Sequence, residues 1–499
     1  MLTFFKMRYI LIFVAFTSGI SFTQGFSFGD IKSFLSTLLG LNGEINLTKR
    51  FHDRSISNPE ISKGRLFKCP TKHGQYPMVD DCGKYFDCEY LVPTVKTCGE
   101  MLYNSDTGKC DSPSNVTCPP YNTNKKVICY FENEPQQSRQ QKPEDMDPYL
   151  CTHIHYAHAN LDSNTLKIVP SVKKRDIFMR YYERVTKLKK LNPKLKVLLS
   201  LGGWRDSSDM GKYSRLVEDP ENWERFANHA VSFLRQHDFD GLEIDWEFPV
   251  CRTENCKFNS VNSQDKQDFA SFLDFVQSLF SSEPEPLLLT IKASGSPEII
   301  NFAYEQAVII ESVDYIVVMA YMTNAENQTL ATHPSRLYPS RDVNHKYEDA
   351  LSMMEFWKRV APENKLVLGI RADGRSYQLK NEEKAHIYAE IETDPAPVDL
   401  QYHEICKLLN KHQDWKVNRE PDIGPYMHKH YVWIGYTDPA FAMKLASFAD
   451  KKGYGGLALI DGISDDFAGD CCRVKNPLLK SIVFGLTRRG MPPTLLGCP

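Results

Sequence analysis

A chain of 499 residues is long enough for one large domain and a smaller one, and its 42% apolar and 25% charged content is that of globular protein, which excludes wholesale disorder. A formal net charge of −3 without a long basic run argues against nucleic acid or an anionic membrane as partner, so a polymeric ligand is expected to be neutral. Fourteen cysteines, an even number, agree with an oxidising compartment.

At the N-terminus Lys6 and Arg8 precede the apolar run Tyr9 to Phe16 and then small and polar residues to Gly25. Residues 1–25 therefore read as a secretory signal peptide, the run being too short for a comfortable membrane span, and the protein is expected to be secreted and extracellular. Asn46-Leu47-Thr48, Asn115-Val116-Thr117 and Asn327-Gln328-Thr329 are acceptor sequences for glycans there. Residues 26–65 read as a polar linker, with a short amphipathic helix predicted over Asp30 to Leu39.

Residues 66–118 hold six cysteines in a segment too small to build much core, which predicts a disulfide-stapled module. The absence of a Cys-x2-Cys pair argues against zinc. Residues 119–126, beginning Pro119-Pro120, read as a short stiff linker.

Over residues 127–480 short apolar runs alternate with helical patterns such as Trp223 to Gln236 and Gln264 to Phe280. The runs Val127–Phe131, His153–Ala157, Lys196–Leu201, Phe239–Pro249, Leu287–Ile291, Tyr315–Met319, Lys365–Ile370 and Gly456–Ile460 supply eight strands, so the fold class is α/β, a (β/α)8 barrel. Residues 374–439 exceed a simple connection and predict a small α+β insertion; residues 481–499 are left as a C-terminal tail.

The run Asp240-Gly241-Leu242-Glu243-Ile244-Asp245-Trp246-Glu247 concentrates the chemistry. Strand alternation puts Glu243, Asp245 and Glu247 on one face and apolar Ile244 and Trp246 on the other. Like charges in a column disfavour simultaneous ionisation, so one carboxyl is expected to keep its proton towards neutral pH, as a general acid requires. In a barrel Glu247 lies at the strand's C-terminal end, where active sites form, and Glu243 lies deeper. His153 and His155 share one face of their strand while alternation turns Tyr156 and His158 to the other, so packing is expected of them; the reading calls for no metal and no cofactor.

Two resemblances add to this. Cys82-Gly83-Lys84-Tyr85-Phe86-Asp87-Cys88, Cys98 with Leu102-Tyr103-Asn104, and Thr107-Gly108-Lys109-Cys110-Asp111 resemble the peritrophin-type chitin-binding domain. The resemblance implies pairings of Cys69 with Cys88, Cys82 with Cys118 and Cys98 with Cys110, with Tyr76, Tyr85 and Tyr103 facing sugar rings and Phe86 packing inside.

Ser200-Leu201-Gly202-Gly203-Trp204, Asp240-Gly241 through Glu247, Met319-Ala320-Tyr321, and Gly455-Gly456 with Asp465-Asp466-Phe467 resemble the chitinases of glycoside hydrolase family 18. In that family the glutamate matching Glu247 protonates the glycosidic oxygen while the substrate's own 2-acetamido oxygen attacks. The resemblance makes Glu247, Asp245, Glu243 and Tyr321 catalytic, with Asp245 turning towards Glu247 or the acetamide N–H. It places Tyr130, Trp204, Met319, Met322, Arg375 and Ile460 against substrate, chitin or its oligosaccharides, and implies a Cys129–Cys151 bond. Cys406 would pair with Cys471 or Cys472, leaving the other for Cys498, and Cys251 with Cys256 would clip the loop after the motif.

The sequence departs from the family pattern at Glu243 and Met322, where the family has Asp, at Ile460 for Trp, at His158 for Phe and at Asp373 for Tyr. The acid is kept while part of its surroundings is not. Two readings follow for a monomeric protein: a chitinase of weakened activity, or a catalytically inactive chitin-binding lectin.

Overall fold

Apolar runs too short for helices, most followed by an amphipathic helix, close into a parallel barrel in the computed structural model. It describes residues 67–134, 141–250, 262–321, 328–339, 349–489 and 492–499. The signal-like segment, the linker helix over Asp30 to Leu39, Asn46, Asn327, Met322 and the Cys251–Cys256 clip lie outside the described residues.

The barrel strands are β1 (Lys126–Glu132), β2 (His153–Leu161), β3 (Lys196–Gly202), β4 (Gly241–Asp245), β5 (Leu288–Ser294), β6 (Tyr315–Met319), β7 (Leu366–Arg371) and β8 (Gly456–Ile460). Each pairs with the next, and β8 returns to pair with β1 in parallel. Helix α1 (Pro220–Gln236) starts at Asp219, whose side chain accepts from the Glu221 N–H, and buries Phe226, Ala227, Ala230 and Leu234 at helical spacing. Helix α2 (Asp265–Ser282) does the same with Phe269, Phe272, Leu273, Val276 and Phe280. Among the described residues no helix is long and apolar enough to cross a membrane.

Only Ala372 and Asp373 separate β7 from an inserted antiparallel sheet, whose strands run Val398–Leu400, Gly374–Gln378, Val432–Gly435, Gly424–Lys429 and Lys416–Glu420 in spatial order. With the helix Tyr402–Lys411 it forms the expected α+β insertion, around a small core in which Trp433 stacks on Tyr426 at 4.9 Å.

The cysteine-rich module folds as a three-stranded sheet (His73–Pro77, Lys84–Glu89, Val92–Thr97) and a hairpin (Leu102–Asn104, Lys109–Asp111). Its disulfides are Cys69–Cys88, Cys82–Cys118 and Cys98–Cys110, as the resemblance implied. Cys129–Cys151 also forms, and Cys406 takes Cys471, leaving Cys472 for Cys498.

Two boundaries differ from expectation. The connector after Cys118 is packed: the Tyr121 hydroxyl donates to the Cys151 carbonyl at 2.5 Å and accepts from Asn192 Nδ2 at 2.6 Å, and Lys126 already belongs to β1. The tail does not begin at residue 481, because the helix Pro477–Thr487 runs through it and buries Leu478, Leu479, Ile482, Val483 and Leu486 at one helical spacing.

Candidate active site

The site is built at the C-terminal ends of β1, β2, β4, β5 and β7. Strand β4 ends at Asp245, so Glu247 sits just past it, its N–H donating to Ser207 Oγ at 3.0 Å. Gly202, at the end of β3 with φ +119, lets the backbone of Asp245 come so close that a Cβ there would lie 2.3 Å from its carbonyl oxygen. Trp246 points the other way and is buried against Tyr213 and Phe269.

Glu243 is fully buried and fully partnered. Its Oε1 accepts from the Tyr130 hydroxyl at 2.6 Å and meets His155 Nδ1 at 2.9 Å, while Oε2 accepts from Ser200 Oγ at 2.6 Å. Burial pushes its carboxyl up, but His155 and Lys292 outweigh that and leave it below the ordinary value. Tyr130 is therefore a support for Glu243, 2% exposed, where a substrate contact was expected. The cause is its inward position on β1, level with the barrel's interior.

Asp245 takes its partners from neighbouring strands. Its Oδ2 lies 2.6 Å from Lys292 Nζ and 3.0 Å from His158 Nε2. Burial raises its carboxyl, and Lys292 followed by His158 more than reverses this. Its Oδ1, also buried, has no hydrogen-bond partner among the described residues. His158 reaches the site because the β2–β3 register shifts between Ala157 and Ala159, and this bulge overturns the alternation that faced it away.

Glu247 is 6% exposed, and burial first, opposed by Lys292 and reinforced by Asp245, moves its carboxyl from 4.5 to about 7. One acid of the motif does keep its proton towards neutrality, but chiefly through desolvation; like-charge repulsion is the smaller cause.

Lys292, missed in the sequence reading, bridges the two carboxyls, with Nζ 3.2 Å from Glu247 Oε1. Arg371 was missed too: its Nε donates to Asp373 Oδ1 at 2.7 Å, it reaches Asp461 at 3.3 Å, and its guanidinium lies 6.0 Å from the Tyr321 ring centre. Burial pushes Asp373 to about 6 even against this arginine. The sequence signal for Lys292 was a lysine two positions after Thr290 in an apolar strand, on the face that alternation turns inward.

Of the other expected contacts, Tyr321 is 4% exposed and burial holds its phenol neutral, so it can donate a hydrogen bond. Met319 and Ile460 end β6 and β8 and are both buried. Trp204 stands 41% exposed on the turn after β3. Arg375 is tied to Asp399 through Nε at 2.7 Å, while its Nη1 stays buried without a partner among the described residues.

In the module Tyr103 is 3% exposed and stacks on Tyr85 at 4.8 Å, so it packs the interior instead of facing a ligand. Phe86 stacks on Phe67 at 4.1 Å, and Tyr76 and Tyr85 are half-buried. The most open aromatic is Tyr90, 77% exposed with φ 51 in the turn between the strands Lys84–Glu89 and Val92–Thr97, which the sequence reading passed over.

A closed (β/α)8 barrel with an acidic motif at the strand ends, joined to a disulfide-stapled module, defines a class of carbohydrate-active proteins. The model for Glycosyl hydrolases family 18 matches residues 126–461 and that for the Chitin binding Peritrophin-A domain matches residues 69–118. The chain belongs to glycosyl hydrolase family 18.

Among curated relatives, Probable chitinase 10 of Drosophila melanogaster is 30% identical over 480 residues, covering 85% of this chain and 20% of the relative. The chain thus spans about a fifth of that protein. Chitotriosidase-1 of Mus musculus is 30% identical over 378 residues, covering 72% of this chain and 77% of the relative. Among solved structures, catalytic domain 2 of the Ostrinia furnacalis Group II chitinase matches with TM-score 0.69 and 32% identity over 74% of this chain and 98% of that one. Human YKL-39, described as a pseudo-chitinase with retained chitooligosaccharide binding properties, matches with TM-score 0.64 and 26% identity over 72% and 99%.

Proposed function

We propose that this is a secreted, monomeric chitin-binding protein that hydrolyses β-1,4-N-acetylglucosamine polymers slowly, with retention. The observation that carries the reading is Glu247, buried at a barrel strand end with its carboxyl near 7, the value a general acid needs at neutral pH. Glu247 gives its proton to the leaving oxygen. The 2-acetamido oxygen bonds to the anomeric carbon as the glycosidic bond breaks, and water later opens the oxazolinium ring with Glu247 recovering a proton. The open acceptor Asp245 Oδ1 suits the acetamide N–H, and the neutral Tyr321 phenol suits the acetamide oxygen. Residues 69–118 hold the protein on insoluble chitin.

Purified protein is expected to release chitooligosaccharides, with Glu247→Gln abolishing release and leaving chitin retention intact. Release unchanged by Glu247→Gln refutes the assignment. The ion pair between Lys292 and Asp245 favours a second reading, binding without turnover, which an absence of product above the Glu247→Gln background supports.

A further inference from the structure

Strand β5 turns a lysine inward between two small neutral neighbours, Thr290 and Ser294. Lys292 is 7% exposed, with Nζ 2.6 Å from Asp245 Oδ2, 3.2 Å from Glu247 Oε1 and 6.0 Å from the Tyr130 ring centre. Burial favours loss of its proton, but the neighbouring carboxyls, Asp245 first, then Glu247 and Glu243, outweigh burial and keep it charged. His158, from β2, shares Asp245 Oδ2 with it. The cleft thus contains a resident cation at the place where the bond-breaking step, as proposed above, accumulates positive charge.

That charge appears on the anomeric carbon and then on the oxazolinium ring as the leaving oxygen takes the Glu247 proton. An anionic Asp245 lowers the energy of this cation; an ammonium in direct contact with Asp245 cancels much of that field in a site too dry to screen it. The same contact pins Asp245. Turning Oδ2 towards Glu247 or substrate means breaking a buried, charge-assisted hydrogen bond to Lys292 and a second one to His158.

We propose that Lys292 is a positioning residue that restrains hydrolysis in this cleft by neutralising and fixing Asp245. The inference rests on the hydrolytic reading of the site and assigns its slowness to a residue inside the barrel. Loss of supporting groups such as an aromatic at Ile460 is a separate matter, since it weakens sugar binding without adding a charge.

The test uses the full chain and the hexamer of β-1,4-linked N-acetylglucosamine, comparing wild type with Lys292→Met, similar in length and uncharged, and Lys292→Arg, which keeps the charge. Lys292→Met is expected to raise kcat at least about tenfold with KM within about twofold, because the transition state is relieved and ground-state binding is not. The alkaline limb of its pH profile should move upward, since Glu247 loses the cation beside it. Lys292→Arg, which leaves a charge beside Asp245, should give no acceleration, its kcat at or below the wild-type value, and its alkaline limb should stay below that of Lys292→Met. Lys292→Gln, which still donates to Asp245, carries the same expectation as the methionine variant should that one not fold.

A wild-type rate that is measurable and equalled or exceeded downward by the uncharged variant overturns the role of Lys292 and leaves the hydrolytic reading standing. An acceleration by Lys292→Arg equal to that by Lys292→Met also overturns it, because charge is then not the cause. If neither wild type nor the uncharged variants release product while calorimetry shows the hexamer bound, the hydrolytic reading falls and the restraint with it.

Discussion

Replacing Glu247 by glutamine should change how heat stability depends on pH, whether or not the protein turns over substrate. Burial raises the folded carboxyl from 4.5 to about 7, so between those values the folded state holds a proton that the unfolded chain has released. Stability therefore falls as pH rises through this window, by roughly 2–3 kcal/mol between pH 5 and pH 8. With an unfolding entropy of roughly 2.1 cal/mol/K per residue over a barrel of about 370 residues, this is about 3 °C in Tm. Asp465, moved by burial to about 7, and Asp265 and Asp373, moved to about 6, titrate in the same window, so the absolute pH dependence of wild type is a sum. The difference between wild type and Glu247→Gln isolates one group. Glutamine keeps the shape and an acceptor for Lys292 but cannot titrate. Calorimetric scans at pH 5 and pH 8 should show the variant gaining about 3 °C on wild type at the higher pH. A gap between the two proteins that is the same at both pH values refutes the assignment of a raised carboxyl to Glu247.

Three further substitutions separate support from contact. Ser200→Ala removes the donor to Glu243 Oε2 at 2.6 Å, a hydrogen bond to a buried charged group, and should cost about 1.5–3 kcal/mol, read as a thermal shift of about 2–4 °C. In the module, Tyr90→Ala in the exposed turn of the three-stranded sheet should reduce retention on chitin by about fivefold with no change in Tm. Tyr103→Ala, which empties a buried ring position, should instead cost about 3 kcal/mol of module stability, measured by thermal unfolding of the full chain.

The scaffold was legible because its signals are local. Short apolar runs alternating with helical spacing specify a (β/α)8 barrel, since alternation and spacing are properties of neighbouring residues. The same holds for the α+β insertion, where sixty-odd residues between β7 and the next barrel helix could not be a simple loop. The cysteine pattern allowed many pairings, and it took the resemblance to single out Cys69–Cys88, Cys82–Cys118 and Cys98–Cys110.

The site was legible only along β4. Alternation brought Glu243, Asp245 and Glu247 to one region, but a strand's own sequence says nothing about what its neighbours project at the same height. Whether those carboxyls repel one another or are paired was decided by Tyr130 and His155 beneath Glu243, by Lys292 between Asp245 and Glu247, and by a bulge that swings His158 inward. These groups come from β1, β2 and β5, separated along the chain and joined only by barrel closure. The sequence by itself therefore determined the barrel, the stapled module and the column of three carboxyls, one of which was expected to keep its proton. The tertiary structure decided the protonation and orientation of that acid's neighbours, because electrostatic energy depends on distances through space that no local pattern records.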